Sequence, residues 1–198
     1  MRLFKPKAEK QREAINRLRS SVLECTLSVS EKLISTIESE RSTISDEENY
    51  GINQEILCFY LLFVDRIAME NNDRLFYEKL QDAMLVSTCE LFVDMQFNVK
   101  EVKEGFDVEN WRTRMIHDNI ELYNERGDMY ATLPLVADED LSNDGNVLVK
   151  VVENIIEFLG SNSSVGLSSM REIPFWLIQT ANDNQLVQQV HDVRKILK

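Results

Sequence analysis

The chain has 198 residues, 43% of them apolar and 28% charged, and a net charge of −12. That length fits one domain with a core large enough to need no staples, and the composition excludes an extended disordered chain. The six glycines and three prolines are too few for a many-turned β fold, which leaves an all-α fold.

The charge is uneven. Residues 1–19 carry seven basic and two acidic side chains, a net +5, which leaves −17 on the remainder. So acidic a body repels a phosphate backbone, and nucleic acid is excluded as its partner. Residues 1–7 read as a basic arm, solvated or docked on an acidic surface of this or a second subunit; RNA, an anionic membrane and an acidic partner are its other possible contacts. The arm lacks an apolar run and a cleavage site, so it is not a secretory signal.

After Pro6, a first helix is expected over 8–42. Ile15, Leu18, Val22, Cys25 and Val29 step by three and four residues, and Leu33 and Ile37 take over the stripe. This surface packs in a bundle or pairs two subunits. Ser45 and Glu48 form a capping box ahead of the next helix, which is expected to settle only after Gly51.

Ile52–Met69 is the most apolar stretch in the chain. Apolar residues cover nearly the whole helix circumference, sparing a narrow sector with Glu55, Asp65 and Arg66. Such a helix is buried. It is not a membrane span, because Asp65 and Arg66 interrupt it at half the required length. We therefore expect a bundle of five to seven helices around a central helix at about 52–70. Asp65 and Arg66 have three readings: a solvent edge with Arg66 facing Glu70, a buried ion pair, or a ligand-binding or catalytic Asp65.

A third helix is expected over 74–100, with Phe76, Leu80, Met84, Ser87, Leu91 and Met95 inward. Asp107 caps a fourth over 108–126, with Trp111, Met115 and Leu122 inward and Ile116, Ile120 and Tyr123 beside them. Gly127 and Pro134 then end or bend the chain. Residues 137–146 are a loop by composition. A fifth helix is expected over 147–159, with Gly160 as C-cap. It completes a core of 8–160. Residues 161–173 read as a flexible linker, and 174–198 as a helical segment packed on the core. In that segment Phe175 and Trp176 plug the bundle or dock on a partner. Asn182 and Asp183 are expected to open the last helix, whose basic end complements its own C-terminus.

Conventional catalytic and metal patterns lack support. The cysteines, Cys25, Cys58 and Cys89, include no CxxC pair and read as core thiols of a reducing, cytoplasmic compartment. His117 and Glu121, one turn apart, read as a solvated pair rather than a metal site. The Glu-x-x-His pairs of di-iron bundles, phosphate-binding loops and dinucleotide fingerprints do not occur. One acidic constellation remains: Glu101-x-x-Glu104 followed by Glu125-x-x-Asp128. It resembles the paired acidic motifs of the all-α nucleoside triphosphate pyrophosphohydrolases (the MazG-like family). The resemblance implies that these four carboxylates hold Mg²⁺ against a nucleotide's phosphates.

The reading that best fits the residues is a non-enzymatic protein-interaction or regulatory module without a cofactor. It would use Asp65, Arg66, Phe175 and Trp176, or self-associate through helix one. The Mg²⁺-dependent pyrophosphohydrolase is the alternative.

Overall fold

The computed structural model describes residues 6–40, 43–70, 73–97, 106–135, 146–159 and 170–197. Residues 1–5 of the basic arm, Glu101, Glu104, the expected C-cap Gly160, and 161–169 of the expected linker lie outside them. The described residues form seven α-helices and no strand: α1 Lys7–Glu40, α2 Asp46–Met69, α3 Arg74–Gln96, α4 Val108–Tyr130, α5 Val147–Leu159, α6 Ile173–Asp183 and α7 Leu186–Leu197. The all-α expectation holds.

Side-chain caps set several helix starts. Ser45 and Glu48 form the expected capping box on α2. Asp73 and Asp107 accept the backbone N–H groups of Phe76 and Asn110. Asn146, expected to be loop, caps α5 by accepting from Val149 N–H at 2.9 Å. Each such bond satisfies a donor that the first turn leaves without a helical partner.

The central position of α2 also holds. It packs against α1, α3, α4, α5 and α7. Ile52, Ile56, Leu57, Phe59, Tyr60 and Val64 are buried along it, and the Tyr60 hydroxyl donates to Leu177 O of α6 at 3.0 Å. The stripe of α1 from Leu18 to Ile37 is buried within the same chain, against α2, α3, α6 and α7. Among the described residues, no helix is long and apolar enough to cross a membrane.

Several local expectations need correction. The second helix does not wait for Gly51; it begins at Asp46 and runs through that glycine. Gly51 is there for contact: a Cβ would lie 2.7 Å from Phe158 Cδ1 of α5. Likewise α4 continues through Gly127 to Tyr130, because a glycine lowers helix propensity without breaking the hydrogen-bond ladder. Asn182 and Asp183 close α6 rather than opening α7; the reversal falls at Gln185, whose φ is +54°. On α3 the stripe drifts, so Leu91 and Met95 are exposed while Thr88, Cys89, Phe92 and Val93 point inward. Finally, Arg194 does not serve its own helix end. Its Nη2 donates to Ile67 O at 3.0 Å and Ala68 O at 2.7 Å, the C-terminal carbonyls of α2.

Candidate functional site

The largest departure from expectation is the inner face of α4. Trp111, Met115 and Leu122 are only half-buried. The residues buried on α4 are Asn119, Tyr123, Arg126 and Tyr130. Tyr123 belongs to the flanking row expected from sequence; the other three were not assigned to the core. They recur at helical spacing and so share one face. That face meets the polar sector of α2, and the contact is a seam of hydrogen bonds.

At one end, Asn119 Nδ2 donates to the Tyr50 hydroxyl at 2.9 Å. In the middle lies Glu55, fully buried. Arg126 Nε donates to its Oε2 at 2.8 Å. Asn154 of α5 donates to Oε1 at 2.9 Å, and the Tyr130 hydroxyl donates to the same oxygen. Asn154 Nδ2 also donates to the Tyr130 hydroxyl, at 2.8 Å. Burial works against the Arg126 charge, but the hydrogen bond and charge of Glu55 outweigh it and hold the guanidinium above its usual range. Burial and the Glu55 charge together push the Tyr130 hydroxyl up. Both carboxylate oxygens of Glu55 thus have donors, the condition under which a buried ion pair persists.

At the other end is Asp65. The Tyr123 hydroxyl donates to its Oδ2 and accepts from Gln81 Nε2 of α3 at 3.1 Å. Tyr77 stands beside them, its hydroxyl raised by burial and then by the Asp65 charge. Desolvation lifts Asp65 from its ordinary 3.8 to about 6, against the opposing hydrogen bond from Tyr123.

Arg66 is not the counter-ion. Its Nη2 donates to the backbone carbonyls of Tyr130 and Leu133, the latter at 2.6 Å. It closes the C-terminus of α4 instead of facing Glu70 or forming an ion pair with Asp65, a known use of arginine near helix ends.

Asp65, Arg66, Tyr77, Tyr123 and Asp128 line an open cleft of about 610 Å³ between α2, α3 and α4. Leu62 and Gly127 also line it. A cleft holding a carboxylate perturbed by desolvation is where a functional site is sought first.

The other sequence candidates separate. Phe175 is 64% exposed, whereas Trp176 is half-buried and packs against the core. They therefore face different surroundings. Of the paired acidic motifs, only the second half is described. Asp128 lines the cleft, while the side chain of Glu125 is 67% exposed and lies 3.4 Å from Arg126 Nη1. His117 Nδ1 and Glu121 Oε2 are 3.5 Å apart and exposed; Asp118 joins them in a shallow surface group on one helix. The three cysteines are buried and free. Burial raises Cys25 and Cys89 to about 12, so neither thiol is a nucleophile near neutral pH.

No family model, curated protein or solved structure matches this chain. The likeness to the pyrophosphohydrolases therefore rests on the acidic spacing alone.

Proposed function

We propose that the protein is a non-enzymatic, cytoplasmic interaction module that engages a protein partner through the Asp65 cleft. One observation carries this reading: Asp65 is held partly out of water in an open cleft, while its cationic neighbour Arg66 is committed to backbone carbonyls. A carboxylate kept this way favours a ligand that completes its hydrogen bonding and charge. Free, buried cysteines support the reducing compartment. Phe175 offers a second contact point outside the cleft. Self-association through α1 would have to use its outward face, since the apolar stripe is occupied within the chain.

The test places a photo-crosslinking amino acid at Asn124, on the cleft, and at Glu31, exposed on α1. In cells of the source organism, a discrete protein adduct is expected from position 124 and not from position 31, and Asp65→Lys should abolish it. The same adduct from both positions, or survival in Asp65→Lys, would refute the reading. Sedimentation velocity over a hundredfold concentration range tests self-association of the full chain.

The pyrophosphohydrolase reading keeps one supporting observation: Asp128 shares the cleft with Asp65 and Glu70. Oxygen donors of this kind suit Mg²⁺. It requires Mg²⁺-dependent release of pyrophosphate from a nucleotide, lost in Asp128→Asn, and it falls if a nucleotide panel yields none.

A further inference from the structure

We infer that the cleft receives a single cationic side chain, a lysine or arginine of the protein partner, with Asp65 as its counter-ion. The inference rests on the reading of the cleft as a protein-binding surface and specifies the chemistry of its occupant.

The argument starts from charge. The groups facing Asp65 come from three helices. From α2 and its C-cap come Arg66 and Glu70, from α3 Tyr77 and Gln81, and from α4 Tyr123, Asp128 and Tyr130. Arg66 is the one cation among them; its Nη2 is held by the Tyr130 and Leu133 carbonyls, and its charge offsets only one of the three carboxylates. The ionised set is three carboxylates and one guanidinium, a net −2, beside three phenols. That set repels phosphates and carboxylates and attracts a positive group.

Geometry narrows the occupant. The Tyr123 hydroxyl is already used twice, as donor to Asp65 and acceptor from Gln81, so Asp65 Oδ2 is held in a fixed position. Tyr77 and Tyr123 border the cleft with Tyr130, and aromatic faces attract ammonium and guanidinium groups. The volume of about 610 Å³ accommodates a side chain with its stem, and Leu62 and Met69 supply apolar surface for the methylenes. The contrast with Glu55 is the strongest point. Glu55 has a guanidinium from its own chain, whereas the bond recorded for Asp65 comes from a neutral phenol. An incoming cation supplies at Asp65 what Arg126 supplies at Glu55.

The ionised carboxylate is the binding form, so cation uptake competes with a proton. With Asp65 near 6, ionisation rises between pH 5 and pH 7. Affinity should rise about tenfold over that interval and level off above it.

The experiment is a heteronuclear NMR titration of the full chain with n-butylammonium and n-butylguanidinium. Neutral n-butanol and anionic n-butyrate serve as controls. Saturable shifts are expected at Asp65, Tyr77 and Tyr123 with the two cations, about tenfold weaker at pH 5 than at pH 7, and lost in Asp65→Asn. The control should retain the native spectrum elsewhere, because that substitution removes a desolvated charge. Equal shifts from butanol, or cation binding unchanged in Asp65→Asn, would overturn the inference. If the cations fail while the Asn124 cross-link persists, the partner enters by other chemistry and only this inference falls. If both fail, the cleft is not the binding surface.

Discussion

Replacing Glu55 by leucine tests whether the polar seam holds the bundle together. The Glu55 side chain is fully buried and that of Arg126 is 10% exposed. Removing the carboxylate strands a guanidinium, a phenol and an amide that all donate to it. Breaking a buried pair from one side costs about 3–5 kcal/mol. Arg126 keeps a narrow path to water and lies 3.4 Å from Glu125, which favours the lower end of that range. Tyr130 and Asn154 retain their mutual bond at 2.8 Å, so together they add only about 1 kcal/mol. The expected loss is about 4 kcal/mol, or roughly 8–16 °C in Tm for a domain of this size. Urea denaturation followed by far-UV circular dichroism gives the value, provided the m-value is unchanged. The decisive companion is Glu55→Leu with Arg126→Met. Removing both charges together should cost only about 1–2 kcal/mol, a coupling well outside additivity. A single-variant loss below about 1 kcal/mol, or a double variant equal to the sum of the singles, refutes the argument.

Three further perturbations have signs set by the structure. Asp65 is raised in the fold to about 6 from an ordinary 3.8. Its stabilising contribution is therefore full below about pH 4, fades as pH rises through 6, and is absent above. Asp65→Asn should gain on the order of 2 kcal/mol at pH 7.5 and nothing at pH 4 in paired denaturation curves, whereas a pH-independent effect would contradict the desolvation argument. Gly51→Ala would push a methyl into Phe158 and should cost about 1 kcal/mol net. In a Phe158→Ala background the same change should stabilise by up to about 1 kcal/mol through helix propensity, and a common sign in both backgrounds would rule out the contact. Arg194→Met removes two hydrogen bonds to α2 carbonyls and a cation 4.8 Å above the Phe76 ring. A loss of about 2–3 kcal/mol is expected, with hydrogen exchange accelerated at the last turn of α2; acceleration confined to α7 would show that Arg194 serves its own helix instead.

The helices were legible where one chain segment carries its own signal. The period of α5, the capping box of α2 and the Asp107 cap are local, and these helix starts fall where the residues indicate. Gly51 and Gly127 misled because the usual meaning of glycine is punctuation, while here both lie inside helices and Gly51 makes room for Phe158. The inner face of α4 misled for a different reason. Trp111, Met115 and Leu122 are more apolar than Asn119, Arg126 and Tyr130, and burial is expected to follow apolarity. That rule fails when the facing helix is polar at matching places. Glu55 and Asp65 were visible as the sparing sector of α2. What one sequence cannot reveal is which helix covers that sector. A search for polar residues at spacings of four, seven and eleven, which relate Asn119 to Tyr123, Arg126 and Tyr130, would have found the complementary row.

A seam of this kind fixes which faces of α2 and α4 meet, because a rotation of either helix would strand Glu55 or Arg126. That role needs every buried polar group to be satisfied, and at Glu55 the chain complies with three donors from two helices. Asp65 has a phenol as donor but no guanidinium like the one at Glu55. An arginine sits next in sequence, yet its guanidinium closes the end of α4, and the carboxylate stays protonated to about pH 6. Orientation alone gives no reason for that difference, since an asparagine at 65 would accept from Tyr123 equally well without the desolvation cost. On the reading proposed above, the charge at Asp65 is kept for a ligand from outside the chain. Hence the pH dependence of Asp65→Asn bears on function as well as stability: a substitution that strengthens the fold above pH 6 and weakens cation binding would show that this carboxylate is kept for its ligand.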